Sequence, residues 1–224
     1  MKRKSPVLIG LLALITSFSA EAKISAGTYL VEDMSGNRII QKDADKVRPI
    51  ASITKLFSVT AALQILSETE YVKKLVDASL IASDNKSAGK LWELAGKPKM
   101  TRPNLPETKI FEPTGLSEKN VSTASELSQF AKELFETEIA KNSIKSESKY
   151  FKKLRVTNKL LCKSGWTFHL SKTGWTRPAG GCLVVIAEVK NAPLIFVILG
   201  SSSVKQRWKD LEELRNLVED RFNS

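Results

Sequence analysis

The 224-residue chain puts strand-like stretches near both ends and helical patterns between them, and this division limits its folds more than any other feature. Residues 28–32 and 38–42 read as two strands, separated by Asp33-Met34-Ser35-Gly36-Asn37, which has the chemistry of a hairpin turn. Far downstream, residues 168–172, 182–189 and 194–199 are again strand-like, with turns at Pro178-Ala179-Gly180-Gly181 and Asn191-Ala192-Pro193. Between these ends, Leu56, Val59, Leu63 and Leu66 recur at helical spacing, and neither Gly nor Pro interrupts residues 52–68. Further helices are expected over 70–82, over 87–95 and from Thr123, where Glu126 three residues on forms a capping box. Residues 96–113 carry four prolines and read as irregular connection, and residues 142–153, polar and lysine-rich, as an exposed excursion. Residues 204–222 predict an amphipathic helix with Trp208, Leu211, Leu214, Leu217 and Val218 on one face. The pattern predicts an α+β fold: an antiparallel β-sheet of about five strands formed from both ends of the chain. The helical insert flanks one face of that sheet and the final helix the other.

Lys2, Arg3 and Lys4 precede an apolar run from Val7 to Ile15, and Ala20-Glu21-Ala22 follows. This is the layout of a signal peptide over residues 1–22, and the apolar run falls short of the ~20 residues a bilayer span needs. Residues 23–224 then form a single domain, exported to the periplasm or cell-wall space. Removal of Lys2, Arg3, Lys4 and Glu21 takes the formal charge from +11 to +9. No basic stripe with interleaved aromatics accompanies that charge, which argues against nucleic acid. An anionic wall or membrane surface, touched peripherally, is the more natural counterpart, and a solvated surface with no partner is equally open.

Cys162 and Cys182 are the only cysteines. Export would permit a disulfide between them, and two buried thiols remain the alternative. With no His/Cys cluster, neither a metal nor a cofactor is expected. His169 is the only histidine, so a Ser-His-Asp mechanism would depend wholly on it, and its alternating apolar surroundings suit a strand position better.

The helix opening at Ser52-Ile53-Thr54-Lys55 places a hydroxyl and an amine one turn apart on one face. Backbone N–H groups at a helix N-terminus favour a developing negative charge there. For the amine to accept the hydroxyl proton near pH 7, its pKa must fall ~3 units from ~10.4, through burial or a second cation. The spacing alone is weak, because it recurs at Ser83/Lys86, Ser87/Lys90, Ser146/Lys149 and Ser202/Lys205. Ser83-Asp84-Asn85 falls at a helix junction, where short polar side chains usually serve as caps. Lys172-Thr173-Gly174 ends a strand, and Lys163-Ser164-Gly165 is a near-copy upstream of the strand pattern.

In this order, Ser-x-x-Lys, Ser-x-Asn and Lys-Thr-Gly are the three elements of penicillin-recognising serine enzymes. The chain around them resembles the D-alanyl-D-alanine carboxypeptidase/endopeptidase family, the low-molecular-mass penicillin-binding proteins. Residues 49–56 resemble that family's nucleophile segment. Glu112-Pro113-Thr114-Gly115-Leu116-Ser117 and residues 120–124 are similar to the penicillin-binding protein 7-like endopeptidases. Residues 179–184 favour Lys172-Thr173-Gly174 over its near-copy. Only 27 residues separate Lys55 from Ser83, which is short for the family and implies a reduced helical region.

The resemblance implies a role for each residue. Ser52 would attack a D-alanyl carbonyl, Lys55 would take its proton, and Ser83 would relay it towards the leaving amine. Asn85 would hold Lys55 and the substrate peptide. Lys172, Thr173 and Gly174 would bind the substrate, with Lys172 and Thr173 on the carboxylate beyond the scissile bond and Lys172 depressing the pKa of Lys55. The backbone amides of Ser52 and Trp175 would form the oxyanion hole. Peptidoglycan peptides are the implied substrates and β-lactam antibiotics the covalent inhibitors, with no cofactor. The sequence leans to an endopeptidase and leaves open a carboxypeptidase or a non-catalytic wall-binding relative. It sets no oligomeric state.

Overall fold

The computed structural model describes residues 24–223 except 162 and 164. The expected signal peptide, Cys162 and the serine of the Lys163-Ser164-Gly165 near-copy therefore lie outside the described residues. Five strands build one antiparallel sheet: β1 (Thr28–Asp33), β2 (Arg38–Lys42), β5 (Phe168–Thr176), β6 (Gly180–Val189) and β7 (Ala192–Ser201). Their order is β2-β1-β7-β6-β5, so the N-terminal hairpin pairs with the last strand and both ends of the chain close one sheet. A small second sheet joins β3 (Arg48–Pro49) to β4 (Val121–Ser122), tying the segment before Ser52 to the middle of the chain.

Period-two alternation sorts the sheet's side chains between two cores. Val184, Ile186, Val197 and Leu199 face the helical insert, where they meet Leu56, Val59 and Leu127. Leu183, Val185, Phe196 and Ile198 face the final helix, α6 (Gln206–Arg221), which contributes Trp208, Leu211, Leu214 and Val218. Each of those four is buried and contributes about 1.5–3 kcal/mol.

The insert holds α1 (Thr54–Leu63), α2 (Glu70–Ile81), α3 (Asn85–Leu94), α4 (Ala124–Leu134) and α5 (Glu138–Ser143). Phe57 of α1 stacks on Phe130 of α4 with ring centroids 4.0 Å apart, fixing α1 within the core. The helix expected from Ser52 opens as a single 3₁₀ turn (Ala51–Ile53), continues as α1 and ends at Leu63. At α4 only half of the capping box forms. Thr123 accepts from the amide of Glu126, but the Glu126 carboxylate turns to Glu107 N and Thr108 Oγ1 instead of reaching back. Residues 142–153 are not wholly the exposed excursion the sequence suggests. Ser148 Oγ donates to the buried Asp77 carboxylate at 2.5 Å, and Ser143 is buried.

Candidate active site

The site forms where the start of α1, the α2–α3 junction, β5 and the 112–117 loop meet. Ala51, immediately before Ser52, has φ +46°, a left-handed conformation that costs a non-glycine residue roughly 1 kcal/mol. Strain of this kind persists only where the surroundings enforce it. Here Ile50 N donates to Asn120 O at 3.0 Å and Thr54 Oγ1 to Ala51 O at 2.7 Å. The turn leaves Ser52 half-buried at the head of the helix, with Lys55 fully buried one turn on.

Lys55 Nζ meets three acceptors: Ser52 Oγ at 2.9 Å, Asn85 Oδ1 at 2.7 Å and Thr114 O at 2.6 Å. Ser52 Oγ also reaches Thr114 O, at 3.3 Å. Burial pushes Lys55 from an ordinary 10.5 to about 8, against the carboxylates of Glu112 and Asp84, which pull it back up.

The α2–α3 junction uses its polar residues both as caps and as site groups. Asp84 caps α3 by accepting from Ser87 N at 2.7 Å. Ser83 takes φ +57°, a position that usually favours glycine, and its Oγ accepts from Lys172 Nζ at 2.9 Å. Lys172 is fully buried in β5, and its Nζ also donates to Thr173 O at 3.0 Å. Burial above all, then the nearby charges of Lys55 and Arg207, hold Lys172 well below the ordinary lysine range. Burial is thus the main cause of the downward shift at both lysines.

Gly174 lets β5 press on the segment around Ser52. A Cβ there would stand 2.9 Å from Ile50 O and 3.0 Å from Ser52 N. Thr173 is buried just before it and Trp175 exposed just after. Gly115 presses from the other side with φ +84°, and its Cβ would fall 2.1 Å from Ala51 O. The two glycines enclose the Ser52 backbone.

Three groups escaped the sequence reading. The first is the Thr114 carbonyl, a backbone atom that carries no residue signature. The second is the Glu112 carboxylate, in a stretch singled out for its likeness and given no role. The third is Arg207 of α6, buried, whose Nη1 donates to Gly174 O at 2.8 Å. No periodicity distinguishes Arg207 from its charged neighbours on the same helix.

The competing features fall elsewhere. His169 pairs with Glu188 on the sheet at 3.1 Å, and Lys149 and Lys90 engage Glu70 and Glu93. Cys182 is a free, buried thiol near the carbonyls of Pro49 and Ala179, and burial raises its pKa to about 11.

The family profile for D-alanyl-D-alanine carboxypeptidases matches residues 67–203, a stretch that holds Ser83, Asn85 and Lys172-Thr173-Gly174 and begins downstream of Ser52. A D-alanyl-D-alanine endopeptidase of Escherichia coli is 26% identical, over 90% of this chain and 79% of its own length. A Pseudomonas aeruginosa protein of the same name is 26% identical, over 89% and 79%. The Escherichia coli match runs over 246 aligned positions, more than this chain has residues, so the chain is the shorter partner within it. Penicillin-binding protein D2 from Listeria monocytogenes, solved with cefotaxime bound, shares the fold with a TM-score of 0.76 at 24% identity. That match covers 87% of this chain and 97% of the other. With more than half of its residues inside the family profile, the chain belongs to the D-alanyl-D-alanine carboxypeptidase family of peptidases.

Proposed function

We propose that the chain is a serine DD-peptidase that cleaves D-alanyl-D-alanine-type bonds in peptidoglycan stem peptides through an acyl-enzyme on Ser52. The observation that carries this reading is the set of partners around Lys55 Nζ. An ammonium group has three N–H donors and no lone pair, whereas the neutral amine has two donors and one lone pair. Asn85 Oδ1 and Thr114 O can only accept, so they take the two N–H bonds of the neutral amine. The third N–H of the ammonium donates to Ser52 Oγ at 2.9 Å, so loss of that proton leaves the lone pair facing the hydroxyl. With the pKa lowered from 10.5 to about 8, forming that neutral amine near pH 7 costs only about 1.4 kcal/mol.

In this scheme Ser52 attacks the carbonyl while Lys55 removes its proton. The backbone amides of Ser52 and Trp175 hold the oxyanion, each worth ~3–4 kcal/mol. Ser83, already bonded to Lys172, relays the proton to the leaving amine. Lys172 and Thr173 bind the carboxylate beyond the scissile bond, with Arg207 adding positive charge behind Gly174. Asn85 fixes Lys55 and the substrate peptide. Water then releases the acyl group.

Two observations support cutting cross-links: the curated relatives named endopeptidases and the shortness of the chain within their alignment. The carboxypeptidase reading draws on the family's own description. Digestion of cross-linked muropeptides followed by mass spectrometry separates them. Dimers converted to monomers support the endopeptidase, and loss of terminal D-alanine from intact dimers supports the carboxypeptidase.

A wall substrate requires export, which the basic and apolar leader over residues 1–22 would direct, leaving residues 23–224 as one domain. β-Lactams would acylate Ser52 as substrate mimics.

A further inference from the structure

The aim of Lys55 depends on a carbonyl. Thr114 O takes one of the amine's N–H bonds at 2.6 Å, so a small displacement of that oxygen would turn the lone pair away from Ser52. Thr114 stands in an irregular loop with no helix or sheet to hold it, so something else must fix its position.

That something is the side chain two residues earlier. Glu112 Oε2 accepts from Thr114 N at 2.7 Å and from Thr114 Oγ1 at 2.6 Å. Its Oε1 accepts from Gly115 N at 2.7 Å, Ser117 N at 3.2 Å and Asn120 Nδ2 at 3.0 Å. Burial works against ionising this carboxyl, but the hydrogen bonds from Thr114, Ser117 and Gly115 outweigh it and keep its pKa below the ordinary value. With every lone-pair direction committed to the loop, the carboxylate has none left to activate a water.

Asn120 closes the circuit. It is fully buried, and its Oδ1 accepts from Phe111 N at 2.8 Å and Glu112 N at 3.2 Å. Its Nδ2 also donates to Glu112 O at 2.8 Å and to Thr54 Oγ1 at 3.1 Å, beside Lys55 on α1. The path therefore runs from α1 through Asn120 and Glu112 to Thr114 O, and back to Lys55.

We propose that Glu112 is a positioning residue for the Ser52–Lys55 pair, whose carboxylate locks the 112–117 loop so that the Thr114 carbonyl directs the Lys55 amine at Ser52. This deepens the acyl-enzyme reading and rests on Lys55 being the base. Glu112 acts through Thr114 and touches no substrate. Its negative charge also faces Lys55, as does that of Asp84 at the N-cap of α3, while Lys172 of β5 opposes them with Arg207 of α6 behind it.

The test uses Glu112→Gln and Glu112→Asp in the whole chain with two independent readouts. One is the titration of Lys55 by NMR of ¹³Cε-labelled lysine, assigned with Lys55→Arg. The other is the acylation rate by a fluorescent penicillin as a function of pH. Glu112→Gln is expected to lower the limiting acylation rate roughly tenfold to a hundredfold. It should also move the Lys55 titration and the acid limb of acylation down by about one unit, because an opposite charge has been removed. Glu112→Asp keeps the charge but falls one methylene short of the loop amides. It should leave the titration near that of the parent while slowing acylation several-fold.

Parent-like acylation in both variants would overturn the proposal. So would slowed acylation in Glu112→Gln with the Lys55 titration unmoved, since a merely structural residue would behave that way. A parent that never labels would defeat the acyl-enzyme reading instead, and the lysine titration would still decide whether Glu112 governs Lys55.

Discussion

Lys55 Nζ lies 2.9 Å from Ser52 Oγ, at the one position around the amine that the acceptors Asn85 Oδ1 and Thr114 O do not occupy. A hydroxyl and an amine at i and i+3 on a helix are common. What distinguishes this pair is burial, which favours the neutral amine, together with two fixed acceptors that orient it.

The pKa of Lys55 gives two linked pH effects. Acylation should climb with pH and level off above about 8, as the amine loses its proton. Stability should follow the same group with a definite sign. The folded pKa of about 8 lies below the ordinary 10.5, so the unfolded chain binds more protons between those values. The cost of burying Lys55 is therefore present in full below pH 8 and is relieved as pH rises towards 10.5. Urea denaturation of the parent beside Lys55→Met should show the parent gaining up to about 3 kcal/mol on the variant between pH 7 and 10.5. A difference constant across that range would contradict the shift.

Gly115 should tolerate no side chain. Alanine there would meet Ala51 O at 2.1 Å and would have to adopt φ +84°. We expect Gly115→Ala to cost about 2–4 kcal/mol and to slow acylation at least roughly a hundredfold. Gly96 provides the control, because its φ is +75° but a Cβ would find nothing within 4 Å. Gly96→Ala should cost only about 1 kcal/mol and leave acylation intact. Thermal unfolding and acylation rates of the two variants check both statements.

Lys172 should read the substrate carboxylate. Lys172→Met removes a fully buried amine whose Nζ, among the described residues, bonds Ser83 Oγ and the Thr173 carbonyl. Acylation by benzylpenicillin should fall by at least about thirtyfold, in line with ~2–5 kcal/mol for losing one partner of a buried charge pair. The parent's preference for free penicillin over its methyl ester should disappear. A variant that still prefers the free acid would move carboxylate recognition elsewhere.

Much of this was legible in the sequence, and the limits have physical causes. The sheet could be read because its last two strands are short apolar runs bounded by turn residues, their side chains shared between two cores, as at Leu183 and Val184. Ser52, Lys55, Asn85, Ser83 and Lys172 converge as the three motifs suggested, because each motif fixes residue types at short spacing. The Glu112 web could not be read, since it joins polar residues across an irregular, proline-bearing stretch. Its link from Asn120 to Thr54 spans 66 residues. Asp77 and Ser148, 71 residues apart, hid in the same way, so part of the 142–153 stretch looked exposed when it is buried. Thr114 acts through its carbonyl, which every residue possesses. At the α4 cap the Thr123-to-Glu126 spacing was right, yet tertiary partners drew the Glu126 carboxylate to Glu107 and Thr108.

The most direct test of the central claim is intact-protein mass spectrometry after incubation with benzylpenicillin, with the parent and Ser52→Ala side by side. One penicilloyl adduct is expected on the parent, mapped by peptide digestion to Ser52, and none on the variant. An adduct of equal yield on Ser52→Ala, or none on a folded parent, would contradict the assignment of Ser52 as the acylated nucleophile.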